Sequence, residues 1–152
     1  MKISTKGHYA VQAMVDLAAQ EGSAPVSLSV IAERQGLSQN YLEQLFVKLR
    51  KAELVKSVRG PGGGYTLGKN ADAISIGEIF AAVDESLVLI DCVDTNRLPD
   101  HVTCDKSSGC LTQTLWTRLC HHFNELVYSV TLGDVLKGEY DFPTIAHGGV
   151  KG

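Results

Sequence analysis

Three cysteines in the second half of this 152-residue chain, Cys92, Cys104 and Cys110, are spaced C-x11-C-x5-C. The segment that carries them also holds Asp91, Asp94, Asp100, His101 and Asp105. Thiolates are soft ligands that suit iron–sulfur clusters, zinc or copper(I). The paired C-x2-4-C knuckles of a structural zinc site are absent from the sequence. Three cysteines leave one coordination position to another residue or an external ligand, which makes a bound centre reactive or labile. The competing reading is three unrelated thiols, and the spacing weighs metal binding above it. Neither a C-x-x-C pair nor a Cys/His/Asp arrangement points to a thiol enzyme. The fourth cysteine, Cys120, falls on the apolar side of a helical pattern and is expected to pack as a small hydrophobe.

A second set of residues has the chemistry to meet DNA. In SLSVIAERQGLSQNYLEQLFVKLRK, residues 27 to 51, Ser27 can cap a short helix and Gly36 can end it in the left-handed conformation. Ser38 can then cap a second helix, in which Leu42, Leu45, Phe46 and Leu49 form one apolar stripe. Its other side is polar and includes Gln39, Asn40, Glu43 and Gln44, side chains that can reach base edges. An amphipathic hairpin with a solvated face is the alternative for this stretch taken alone. Two short strands follow, 54–58 and 64–67, separated by Arg59-Gly60-Pro61-Gly62-Gly63. A helix-turn-helix with a Gly-rich hairpin behind it is a winged helix. Its tip lets backbone approach a phosphate chain while Arg59 enters a narrow minor groove. The glycines are not a nucleotide loop, because no Lys-Ser/Thr pair follows and no GxGxxG opens a helix.

The elements that must position these two sets are mostly helical. Residues 5–21 have helical period, with Tyr9, Ala10, Ala13, Met14, Leu17 and Ala18 on one face and Gly22 as the stop. A short helix is expected at 75–83, then a nonperiodic run over 84–109. A long helix spans 111–130, apolar at Leu111, Leu115, Trp116, Leu119, Cys120, Phe123, Leu126, Val127 and Val130. So long an apolar face exceeds what a small wing domain can cover, which predicts a homodimer holding two recognition helices about one DNA turn apart. The expected organisation is therefore mainly α with a small β wing. A winged helix-turn-helix domain occupies 1–83, a cysteine loop 84–110 and a dimerisation region 111–136. The tail 137–152 has little to order it.

Composition sets outer bounds. Hydrophobic residues make up 44% and charged residues 20%, as in a globular protein. No apolar run is long enough to cross a bilayer, and MKISTKGHYA lacks the apolar core of a secretory signal, so a cytoplasmic protein with reduced thiols is expected. The net charge of −3 hides a division. Residues 1–70 carry nine Lys or Arg against five Asp or Glu, and residues 71–152 five against twelve. A basic front half and an acidic back half suggest that only the first meets phosphate.

The stretches MKISTKGHYAVQAM, AERQGLSQNYLEQLFVKLRKAELVKSVRGPGGGYTLGK and IGEIFAAVDES, with the three cysteines and CLTQTLW, resemble the Rrf2 family of winged-helix regulators. The resemblance is dense over 1–86 and resumes from Cys110 to about Val135. It implies a homodimeric transcription factor that senses cluster supply through an iron–sulfur centre and controls cluster-assembly genes. Carried over by position, it implies DNA contacts from Ser38, Asn40 and Glu43, with Arg59 and Pro61 in the wing, and cluster thiolates from Cys92, Cys104 and Cys110. Glu43 can accept from a cytosine amino group.

Two departures stand out. The first two cysteines lie much farther apart than in the family's C-x5-C-x5-C, and the family's LTH is here Leu111-Thr112-Gln113, which removes its histidine ligand. Relatives that sense nitric oxide complete a cluster from the first helix of the other subunit. His8 holds that location and is the candidate fourth ligand, with His101 the alternative. A [2Fe–2S] centre is expected ahead of a [4Fe–4S] nitric oxide sensor, and a cluster-free regulator of cysteine metabolism is the third option.

Overall fold

The computed structural model describes residues 2–90, 93 and 110–142. Cys92, His101 and Cys104 lie outside the described residues, as does the tail from 143. Helix α1 (Thr5–Ala18) begins at Ser4, whose side chain accepts the Gly7 N–H. It ends three residues before the sequence period suggested, because the Gln20 and Glu21 N–H groups turn back to the carbonyls of Leu17 and Ala18. Ala10, Ala13, Met14, Leu17 and Ala18 are buried along one side. The alanines let neighbouring helices approach closely.

Helix α2 (Leu28–Gln35) starts under Ser27 and stops at Gly36, which sits at φ 64° and ψ 34°. The Leu37 N–H closes the end by reaching the Ala32 carbonyl at 2.9 Å. Ser38 then caps α3 (Gln39–Lys51), whose buried residues are Leu42, Leu45, Phe46 and Leu49. All four belong to the central core together with α1 and Ile31. Each such side chain contributes roughly 1.5–3 kcal/mol on burial. A polar lock holds α1 to α2. Asp16 accepts from Arg34 at 2.5 Å and from Gln35 at 2.7 Å, while Gln12 donates to Gln35 at 2.7 Å.

The wing is an antiparallel pair, β1 (Val55–Val58) and β2 (Gly64–Leu67), registered Val55 to Leu67 and Val58 to Gly64. Val26, ahead of α2, exchanges two backbone hydrogen bonds with Tyr65 at 2.8 and 2.9 Å and so borders β2 on its far side. A single bridge residue such as Val26 leaves no periodicity to read. Tyr65 also meets Phe46 edge-on, with ring centroids 4.8 Å apart. The wing is thereby fixed to α3.

After a 3-10 turn at Ala71–Ala73 comes α4 (Ile76–Ala82), opened by a capping box between Ser75 and Glu78. The long helix α5 runs Leu111–Ser129. A further helix, α6 (Leu132–Lys137), follows after a break at Val130 and Thr131; the long helix expected over 111–130 ends at this break, and α6 itself was not anticipated. At that break Ile76 donates to Val130 and Leu132 donates to Ile74, at 2.8 and 2.9 Å. This pairing returns α6 to α1, where Leu132 is fully buried.

The Ser75 N–H holds the Glu78 carboxyl below its ordinary range, against the opposing pull of burial and with help from Lys69. A depressed folded value means the contribution is complete above the unfolded value of about 4.3 and is lost as pH falls through the folded one. Glu78→Gln, a mimic of the protonated acid, is expected to lower the urea midpoint at neutral pH, and the gap to wild type closes in acid. Ser75→Ala is expected to cost about 1 kcal/mol at neutral pH, read in the same titration.

Candidate nucleic-acid interface

The buried stripe of α3 leaves its opposite side to solvent. Ser38, at the helix start, and Asn40 and Glu43, within its first two turns, are all exposed. Gln39 donates its amide to the Glu43 carboxylate at 3.2 Å, one turn away. These residues share a rigid element, and recognition helices present base-reading side chains from this end. Arg59 and Pro61 are exposed at the wing tip. Gly60 and Gly62 there have φ of 100° and 75°, and a side chain added at either would meet nothing within 4 Å. Open backbone at a hairpin tip is the geometry that allows close approach to a phosphate chain. The structure thus brings Asn40 and Glu43 onto the exposed side of α3, with Ser38 at its N-cap, and Arg59 with Pro61 onto one hairpin.

Cys110 is the N-cap residue of α5. Its Sγ lies 3.3 Å from the Thr112 hydroxyl. That hydroxyl, followed by the backbone N–H groups of Gln113 and Thr112, draws the Cys110 thiol below its ordinary range. A thiolate is the form a metal binds, so the donor chemistry at Cys110 fits a soft cation or a cluster. Its expected companions Cys92 and Cys104 lie outside the described residues. Among the described residues no three His, Cys, Asp or Glu side chains gather as a metal site. His8 is exposed on the first turns of α1, its ring 5.5 Å from that of Tyr9.

Cys120 departs from the expectation of core packing. It is half-buried, and its Sγ accepts the Leu89 N–H at 3.4 Å, so it marks where the segment after α4 crosses α5. No residue of α5 is fully buried. Leu111, Leu115 and Leu119 are 91%, 50% and 42% exposed, spaced one turn apart along a single edge. Among the described residues no helix is long and apolar enough to cross a membrane.

A winged helix-turn-helix that presents a polar recognition face and an open wing defines a DNA-binding protein. Residues 3–138 match the Rrf2 family, described as iron-dependent transcriptional regulators, and the chain belongs to that family. It is 50% identical over 137 residues to the HTH-type transcriptional regulator IscR of Vibrio campbellii, covering 90% of this chain and 78% of that protein. To the IscR of Sodalis glossinidius it is 47% identical over 139 residues, covering 91% and 81%. Among solved structures it is similar to T. potens IscR, with 43% identity, a TM-score of 0.70 and coverage of 91% and 88%. It is similar also to CymR, the global cysteine regulator of B. subtilis, with 37% identity, a TM-score of 0.73 and coverage of 92% and 99%. The chain is a transcriptional regulator and not an enzyme.

The Thr112 contact has a direct chemical readout. In cluster-free protein, Thr112→Val is expected to move the pH at which Cys110 alkylates half-maximally upward, followed at that residue by peptide mass spectrometry. An unchanged profile would remove Thr112 from the thiol's environment.

Proposed function

We propose that this regulator binds operator DNA as a homodimer and carries an iron–sulfur cluster whose presence sets its DNA affinity, so that genes for cluster assembly follow cluster supply. The observation that carries the reading is Cys110, a thiol drawn below its ordinary range by Thr112 and the backbone N–H groups at the head of α5, in a family described as iron-dependent. Relatives at about half identity bear the name IscR over most of this chain, which supports the same assignment. Cys92, Cys104 and Cys110 would hold the cluster with His8 as fourth ligand, and a [2Fe–2S] centre is preferred to [4Fe–4S]. Such a centre supplies a group that iron limitation, oxygen or nitric oxide can remove or alter.

The chain's own residues supply the DNA contacts. Ser38 and Asn40 would hydrogen-bond phosphate or base edges, and Glu43 would accept from a cytosine amino group. Arg59 would sit in the minor groove while Pro61 shapes the tip beside it. The exposed edge Leu111, Leu115 and Leu119 supports dimerisation through α5, since burying it against a second copy removes apolar surface from water.

The likeness to CymR supports a second reading, a cluster-free regulator of cysteine metabolism. Isolation without air separates the two. Under the first reading the protein is coloured and contains iron and sulfide, and Cys104→Ala loses both. A colourless, iron-free protein that takes up no cluster on reconstitution, and whose operator binding ignores Cys104→Ala, favours the second. A [4Fe–4S] centre would show in the iron content and in the response of the spectrum to nitric oxide. Leu115→Asp with Leu119→Asp is expected to shift the species seen by sedimentation from dimer to monomer, and a dimer that survives both changes places the interface elsewhere.

A further inference from the structure

Asp84 and Glu85, just past the Val83 cap of α4, are tied to α3 and to the start of α1. Asp84 has a left-handed backbone at φ 55°, one of two such non-glycine residues among those described. Its carboxylate accepts from the Lys48 ammonium of α3 at 2.7 Å, and its carbonyl accepts from the Lys6 ammonium at 2.5 Å. Glu85 reaches the start of α1, where its carboxylate accepts the Ser4 N–H at 2.9 Å and also the Ser4 hydroxyl. Gly7 leaves room for that carboxylate, since a Cβ there would stand 2.7 Å from it. The segment then runs along α5, with Leu87 buried and the Leu89 N–H on Cys120. An unbroken strap of described residues thus joins α3 to the helix headed by Cys110.

Lys48 stands on the basic last two turns of α3, near Arg50 and Lys51. An ammonium there is suited to a phosphate contact, yet in the free protein a carboxylate occupies it. Lys48 in turn draws the Asp84 carboxyl below its ordinary range, with Lys6 adding to the effect. The pair is exposed, 44% at Lys48 and 74% at Asp84. Exposed ion pairs are weak and screened by salt, so small displacements of either partner are enough to break one.

We infer that Asp84 is a positioning residue for DNA recognition, which holds the Lys48 ammonium out of the phosphate contacts until the strap withdraws it. The inference rests on operator binding through α3. It assigns to the junction of α4 and the cysteine loop a role in setting how many phosphates the regulator neutralises. Because the strap meets α5 at Cys120, a shift of that helix acts on this pair through a short run of chain.

The test is the salt dependence of binding by the full-length chain to a duplex that the protein itself selects from a random pool, measured on cluster-free protein by fluorescence anisotropy. Asn is at ease in the left-handed region, so Asp84→Asn removes the charge without straining the backbone. That variant is expected to steepen the plot of log affinity against log salt by about one unit, the signature of one added phosphate contact. Adding Lys48→Gln to Asp84→Asn is expected to return the slope to the wild-type value. A slope unchanged by Asp84→Asn, or an extra unit that survives Lys48→Gln, overturns the inference. Wild-type binding that ignores salt, or selection of no sequence, overturns operator binding itself and the role of Asp84 with it.

Discussion

The small-residue face of α1 is the constraint on which the rest of the molecule depends. Ala10, Ala13 and Ala18 leave space between the bulkier Met14 and Leu17, and α2, α3, α4 and α6 all pack into the resulting core. Interiors packed at this density do not deform continuously. The orientation of α3 is therefore inherited from α1, and its outward face is presented as a rigid surface. Phe46 transmits the same constraint to the wing through Tyr65, so recognition helix and hairpin move together. A larger side chain in place of Ala13 would force α1 away from its neighbours and shift the whole candidate DNA-binding face at once.

Helix α5 obeys a different logic. Its last turn is held to the DNA-binding unit by the backbone bonds around Val130 and by the Tyr128 ring, which lies so close over Gly77 that no Cβ would fit there. Its first turn projects outward, carrying Cys110 and the exposed leucine edge. A helix anchored at one end and apolar at the other suits the proposed homodimer, and a ligand bound at its free end would have leverage over its position. The same end is where the thiol is made acidic by Thr112 and the helix N–H groups. Structural position and ligand chemistry coincide at one residue.

Much of this was legible from residue order, for reasons that are local. Ser27, Gly36 and Ser38 each act within a few residues of chain, so helix ends at the turn fell where capping rules put them. The stripe Leu42, Leu45, Phe46 and Leu49 was readable because one helix buries one side. What escaped depends on contacts between distant residues or on competing signals. The bridge of Val26 to Tyr65 leaves no periodicity. Helix α6 went unread because its six residues are too few for apolar spacing to show a period, although Thr131 and Asp134 spell a capping box. The clasp of Asp84 and Glu85 on Lys48 and Ser4 joins positions 36 and 81 residues apart, and nothing in the charge pattern announces it. The ligand set at the cysteines was legible as residue types only, since Cys92, Cys104 and His101 fall outside the described residues.

A cysteine site at the head of α5 and a recognition helix linked to α5 through the strap make one proposition, that metal chemistry at the first would alter the hold of the second on DNA. Operator affinity of the reconstituted and the metal-stripped chain, compared side by side at one salt concentration, tests it most directly. Allosteric coupling of ordinary size predicts a difference of roughly 5- to 150-fold between the two forms. Equal affinity and an identical footprint with the metal centre intact or removed would contradict it.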